Sequence, residues 1–270
     1  MATETLPGPL GEVRVASTAG GGTALTSTAA RIVLPLGTKQ IDLIPRNMSG
    51  AAVVQFLKNP WLTIFKTSDA LATQTNITDY SFNAQDGDTA TDVTLSSLDT
   101  AANLDFVYVG SHLPFSGVEI DVDAANGTAS VLTVKYRKSD NTWADITATD
   151  GTASGGAAFA VDGNVTWTMP TDWITCRLFD AGDTTLKFGL ATEELFWTRW
   201  QVSAALDSST TQNSWISINR STTYDEIPAG MAWKESVTVG PGGISNIQVK
   251  TDAGTGNLIV SCAARGRFLS

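Results

Sequence analysis

The chain has 270 residues, of which 42% are hydrophobic and 16% are charged, and its formal net charge is −10. The hydrophobic content is enough for a packed core and excludes wholesale disorder. The acidic balance disfavours direct binding to nucleic acid, because the 17 Lys and Arg are scattered and their longest cluster is Lys135, Arg137 and Lys138.

Few residues bear on the cellular compartment. Cys176 and Cys262 lie far apart and lack a metal-binding spacing, so we expect two buried free thiols, while a disulfide between them stays open. No apolar stretch is long enough for a transmembrane helix. Residues 1–13 have neither the basic nor the apolar region of a signal peptide, so we expect the protein to be made in a cytoplasm.

The residue pattern of the N-terminal third changes at Arg31. Residues 1–30 are rich in Gly, Ala, Thr and Pro, which predicts an extended N-terminal arm with little core of its own. From Arg31 onward apolar and polar residues alternate, as is typical of half-buried strands. Together with turn signals such as Asn59-Pro60, this pattern predicts a first β-sandwich within residues 31–95.

The central segment has the most regular pattern. Apolar and polar residues alternate through 118–122 and again through 132–136, and Asn126-Gly127 between them predicts a β-hairpin. Further strands are predicted at 165–169 and 195–205. We therefore assign residues 96–221 to a central β-sandwich or jelly-roll domain.

Residues 222–270 contain three predicted strands without an obvious core. We predict that they return to complete the sandwich of residues 31–95, which makes the central domain an insertion; a serial arrangement is the alternative. The predicted fold class is all-β, with two antiparallel β-sandwich or jelly-roll-like domains and an extended N-terminal arm.

The usual catalytic and cofactor-binding patterns are missing from the sequence. His112 is the one histidine, no serine has a nucleophile-elbow sequence, and the Gly-rich segments lack the spacing of a phosphate-binding loop. A carboxylate pair such as Asp121 and Asp123 would permit a glycosidase, but acids that alternate along a strand are typical of a solvated face. We predict that the protein is not an enzyme and has no cofactor.

A group of aspartates in the central segment is the candidate for a metal site. Carboxylate oxygens suit hard cations such as Ca²⁺, but the spacing does not match an EF-hand loop. We therefore predict solvated turn residues and no metal site. The candidates are Asp121, Asp123, Asp145, Asp150 and Asp162.

Tryptophans supply the remaining candidate site. Trp167 and Trp200 are expected in the core, whereas Trp197, Trp143 and Trp173 are candidates for glycan stacking or for a subunit interface. Trp197 is the foremost of these, because alternation along 195–205 places it opposite Trp200.

Three motifs within residues 105–205 resemble a module of tailed-bacteriophage structural proteins. They are YVGS-x-x-PF-x-G at 108–117, LTVKY at 132–136 with W-x-D at 143–145, and TDGTASGG at 149–156 followed by DG-x-VTW and a PTDW segment ending at 173. The first part of the chain, through PRN-x-S at 45–49, is similar to the N-terminal part of the same proteins. The resemblance covers about two thirds of the chain.

The resemblance implies a structural role in a virion, with synthesis in the host cytoplasm, and it transfers no catalytic residue. Within that class we favour a capsid-associated cement or decoration protein. A neck, tail or fibre component is one alternative, and a carbohydrate-binding adhesion module for host attachment is another. Expected partners are the major capsid protein or neck and tail proteins, within a homo-oligomer for which we favour a trimer. Neither nucleic acid nor a membrane is expected as a direct partner.

Overall fold

The architecture comes from a computed structural model of the chain. It describes residues 3–5, 12–15, 22–96, 98–181, 193–219, 224–228 and 230–263. Apart from 3₁₀ helices at Gln74–Asn76, Ala101–Asn103 and Leu178–Ala181, the regular structure within these residues is antiparallel β-sheet. The predicted all-β fold class is confirmed. No helix among the described residues is long and apolar enough to cross a bilayer.

The chain divides into two compact units. Unit 1 combines Met1–Trp61 with Ser221–Ser270, and unit 2 is Leu62–Arg220. The chain therefore leaves unit 1 once and returns to it after unit 2 is complete. The two ends of the chain share one unit because strands from both ends lie side by side in the same sheets.

Unit 1 consists of two sheets. The six-stranded sheet contains β1 (Thr3–Thr5), β2 (Glu12–Val15), β3 (Thr23–Leu25), β5 (Gln40–Arg46), β20 (Trp233–Ser236) and β22 (Gly256–Ala263). The four-stranded sheet contains β4 (Ala30–Val33), β6 (Val54–Pro60), β19 (Asp225–Ile227) and β21 (Ile244–Thr251). One hydrophobic cluster takes Leu43 and Val260 from the first sheet and Phe56 and Val249 from the second. The unit is thus a β-sandwich with its core between the sheets.

The predicted N-terminal arm is extended where the structure describes it, but it is part of unit 1. Strand β22 pairs with β5 along one side, and with β2 and β3 along the other. Leu25, at the end of β3, is buried in the core. Backbone hydrogen bonds to a distant strand stabilise this segment, and they do not depend on its low content of apolar residues.

Unit 2 also consists of two sheets. The seven-stranded sheet contains β7 (Thr63–Thr67), β8 (Ile77–Asp79), β10 (Phe106–Ser111), β12 (Leu132–Arg137), β13 (Trp143–Asp145), β16 (Thr175–Cys176) and β17 (Leu195–Val202). The five-stranded sheet contains β9 (Val93–Thr94), β11 (Gly117–Ala124), β14 (Thr149–Asp150), β15 (Gly163–Thr166) and β18 (Thr211–Ile218). The main core lies between them and includes Val109, Trp200 and Trp215.

The boundary between the units differs from the predicted one. Residues 62–95 were assigned to the first sandwich, but β7 pairs with β10 and β9 pairs with β18, all within unit 2. The turn signal at Asn59-Pro60 coincides with the crossing between units, because β6 ends at Pro60 and β7 begins at Thr63. Alternation alone shows that a strand exists and does not show which sheet it joins.

The predicted hairpin at Asn126-Gly127 is wrong. Strand β11 belongs to the five-stranded sheet and β12 to the seven-stranded sheet, so this segment crosses between the two layers. The Asn126 side chain, only 2% exposed, secures the crossing. Its Nδ2 group donates to the backbone carbonyls of Thr128 and Ala158 and to the hydroxyl oxygen of Ser130. Its Oδ1 accepts from the backbone N–H of Asp207 at 3.1 Å.

The seven-stranded sheet is covered on both faces. On its outer face, opposite the main core, a second cluster includes Phe65, Tyr108 and Trp197. Gly110 lies directly beneath Trp197, and a Cβ added there would be 2.5 Å from the ring carbon Cε3. A glycine at this position therefore allows the indole to lie flat against the sheet.

Replacing Gly110 with Ala should destabilise the protein by about 1–3 kcal/mol, because the new methyl group overlaps the Trp197 ring. Urea unfolding monitored by tryptophan fluorescence gives the free energy of unfolding. In a Trp197→Leu background the same substitution should cost clearly less, since the overlapping ring is gone. Equal losses of unfolding free energy in the two backgrounds would contradict the packing of the Trp197 ring on Gly110.

Replacing Asn126 with Ala should lower the free energy of unfolding by about 2–3 kcal/mol, because one buried and two partly buried backbone groups lose their partner at once. Asn257→Ala is the matched control: that side chain is half-buried on β22, and a small effect is expected there. Thermal unfolding of both variants by circular dichroism provides the measurement. Similar losses for the two variants would show that Asn126 does not secure the crossing.

Candidate functional site

Trp197 is not the surface aromatic that we predicted. It does lie opposite Trp200 on β17, but none of its surface is exposed, and its ring stacks on Phe65 at a centroid distance of 6.0 Å. Side chains on the two faces of β7 belong to different hydrophobic clusters, and the same holds for β17, because both faces of the sheet are covered. Trp197 therefore offers no face to a sugar or to another subunit in this structure.

Trp173 is also a packing residue. It is 7% exposed, and its ring contacts Phe115 at 5.4 Å and Phe196 at 5.6 Å between centroids. Its indole N–H donates to the backbone carbonyl of Trp197 at 3.2 Å. The hydrogen bond joins the segment after residue 170 to β17, so this tryptophan stabilises the unit and leaves little surface for a ligand.

Trp143 keeps a partly exposed ring, and two arginines surround it. The guanidinium carbon of Arg199 lies 5.0 Å from the ring centroid, and that of Arg137 lies 5.7 Å from it. Arg199 is also 4.6 Å from the ring centroid of Phe106. Cation–π contacts of this kind contribute roughly 0.5–2 kcal/mol each and restrict the guanidinium groups to defined positions.

Strand pairing brings these residues together on the outer face of the seven-stranded sheet. Arg137 lies opposite Trp143 on β13, and Lys135 lies between Arg199 on β17 and Asp145 on β13. We call Lys135, Arg137, Arg199 and Trp143 the basic strip. In the sequence, Lys135 and Arg137 are two residues apart, and alternation places Arg199 on the same strand face as Trp197. The pairing of β12 with β17, which joins them, has no short-range signal in the sequence.

Three of the five candidate aspartates lie near one another. The carboxylates of Asp121 and Asp162 lie close enough for their charges to interact, and Oδ1 of Asp162 accepts from the backbone N–H of Val122 at 2.9 Å. The Thr211 hydroxyl donates to Asp123 at 3.0 Å. Partial burial, followed by the charge of Asp162, raises the pKa of Asp121. The carboxylates are thus part of a hydrogen-bonded surface network.

The other two aspartates are turn residues. The carboxylate of Asp145 accepts from the backbone N–H of Thr147, and that of Asp150 accepts from the backbone N–H of Thr152. Among the described residues, no group of three or more His, Cys, Asp or Glu side chains is arranged to hold a metal ion. Such local hydrogen bonds are typical of Asx-turns, for which no cation is required.

His112 and the two cysteines lie in separate surroundings. His112 follows the last residue of β10, and partial burial lowers the pKa of its imidazole. Cys176 and Cys262 are free thiols, and burial raises the pKa of Cys262 to about 11. A thiol with so high a pKa is almost entirely protonated at neutral pH, so Cys262 is a poor nucleophile.

Trp233, which the sequence reading did not single out, is 41% exposed at the edge of unit 1. Its indole N–H donates to Glu235 at 3.2 Å, and its ring centroid lies 6.1 Å from that of Phe56. Glu235 also pairs with Lys58 of the opposite sheet. Trp233 therefore covers the open edge of the sandwich core, which explains its position without a ligand.

No family model matches this chain, and no curated protein matches it in sequence.

Replacing Asp121 with Asn should stabilise the protein near pH 7, because the raised pKa shows that folding disfavours the charged carboxylate. At about pH 3, below the ordinary Asp pKa of roughly 3.9, the carboxyl is mostly protonated in both states and the gain should largely disappear. Urea midpoints at the two pH values provide the test. Asp92→Asn is the control, and a gain for Asp121→Asn that is equal at both pH values would contradict this explanation.

Proposed function

We propose that this chain is a structural protein of a tailed-phage virion, and that it acts as a capsid-associated cement or decoration protein through contacts between subunits. It has no catalytic role in this proposal. The first support is the resemblance carried by the three motifs of residues 108–173.

The observation that carries the proposal is where those motif residues lie. Residues 108–117 comprise the end of β10, a loop and the start of β11, while 132–136 is most of β12 and 143–145 is β13. The motif therefore follows strands of both sheets of unit 2. Motif residues that lie along strands of both sheets serve mainly to preserve the fold. A structural component depends on its fold and needs no reactive group.

Individual motif residues have packing roles that fit this interpretation. Gly110 makes room for Trp197. The indole N–H of Trp167 donates to the carbonyl of Phe115 at 3.0 Å, which joins two motif segments. A module whose distinctive residues hold its layers together suits a particle component that must withstand mechanical load.

The composition of purified particles provides the test. Mass spectrometry should find this chain in a copy number comparable to that of the major shell protein, because a cement protein occupies repeated sites on the shell. Particles that lack the chain should lose their genome at a lower temperature than complete particles do. A few copies per particle would favour a neck, tail or fibre component, and absence from the particle would contradict a virion role.

A further inference from the structure

We propose that the start of β18 encloses a buried hydration site, in which one or more ordered water molecules bond to the side chains of Thr210, Gln212 and Trp215. All three residues are fully buried within unit 2. The site belongs to the five-stranded sheet, whereas the basic strip lies on the other sheet of the unit. The proposal does not depend on a role in a virion.

Polar atoms without a partner are concentrated in this short segment. Among the described residues, no hydrogen-bond partner is present for Oγ1 of Thr210, for Nε1 of Trp215 or for either amide atom of Gln212. Buried polar groups in folded proteins are almost always bonded, either to protein or to ordered water. Leaving several of them unbonded in one place would remove much of a domain's small stability margin.

Strand pairing explains why the neighbouring strands supply no partner. Gln212 lies opposite Val93 on β9 and opposite Val122 on β11. The backbone N–H of Leu95 donates to the Thr210 carbonyl at 3.0 Å, which places these two residues opposite each other as well. Val93 and Leu95 belong to the main core, and Val122 packs against it. Because opposed residues project from the same face of a sheet, Thr210 and Gln212 point into an apolar core.

Trp215 is the next inward position of β18. The pairing of β11 with β18 shifts register after Asp121, so that Asn213 forms a bulge with no residue opposite it. Beyond the bulge, Trp215 lies opposite Ile120 of the main core. Successive inward positions of a strand are about 7 Å apart. One water that accepts a hydrogen bond and donates another joins atoms up to about 6 Å apart, so it can bridge neighbouring side chains of this row.

The mixture of donors and acceptors identifies water as the ligand. Nε1 of Trp215 and Nε2 of Gln212 only donate, Oε1 of Gln212 only accepts, and the Thr210 hydroxyl does both. A cation would satisfy only the oxygens, and an anion would satisfy only the donors. A buried water both donates and accepts, and it typically makes about three hydrogen bonds to groups of this kind.

A high-resolution crystal structure of the purified full chain tests the proposal directly. We expect an ordered water within about 3.2 Å of an amide atom of Gln212 and of either Thr210 Oγ1 or Trp215 Nε1. Direct hydrogen bonds from protein groups to the Gln212 amide would overturn the proposal. So would the absence of water density beside these three side chains.

Magnetic relaxation dispersion of water nuclei counts long-lived waters in solution and gives a second test. Gln212→Met keeps the length of the side chain but removes its hydrogen-bonding groups, so the number of long-lived waters should fall. Gln201→Met, at a half-buried position of β17, is the matched control and should leave that number unchanged. An unchanged number for Gln212→Met, or an equal fall in both variants, contradicts the site. Circular dichroism verifies folding, and the wild-type crystal structure decides the question if Gln212→Met does not fold.

Discussion

The burial of strand β17 on both faces is the constraint on which unit 2 depends. Trp200 fills the core between the sheets, and Trp197 fills the outer cluster, so one strand anchors two hydrophobic layers. Each tryptophan limits its neighbours: Gly110 must lack a side chain, and Trp173 lies where its indole N–H reaches the Trp197 carbonyl. Because β17 carries large apolar residues on both faces, its sequence lacks the strict apolar–polar alternation of a half-buried strand.

Long-range polar contacts complete the architecture, both at a crossing between sheets and between paired strands. The buried Asn126 amide replaces the backbone pairing that a hairpin would have supplied at the crossing between sheets. In unit 1 the buried side chains of Asn59 and Asn246, which are 187 residues apart in the chain, are joined by a 2.7 Å hydrogen bond. Buried amides of this kind specify one arrangement of the strands, because any other pairing leaves them without partners.

The sequence predicted features that depend on local periodicity and missed those that depend on pairing. Alternation correctly placed Trp197 and Trp200 on opposite faces of β17 and identified the strand at 132–136. It did not reveal that Trp197 is covered, because the residues over it come from distant parts of the chain. The Asn126-Gly127 signal failed for the same reason: its turn propensity is real, but the flanking strands found partners in different sheets. The basic strip likewise required the pairing of β12 with β17.

The basic strip follows from the way that β17 is buried. Trp197 and Arg199 share the outer face, so the cluster around Trp197 ends at Arg199, whose guanidinium group contacts Phe106 and Trp143 at the cluster margin. A cation at the margin of a hydrophobic cluster keeps its stem packed and its charge accessible. Because these side chains project from paired strands, the sheet fixes the spacing of their Cα atoms.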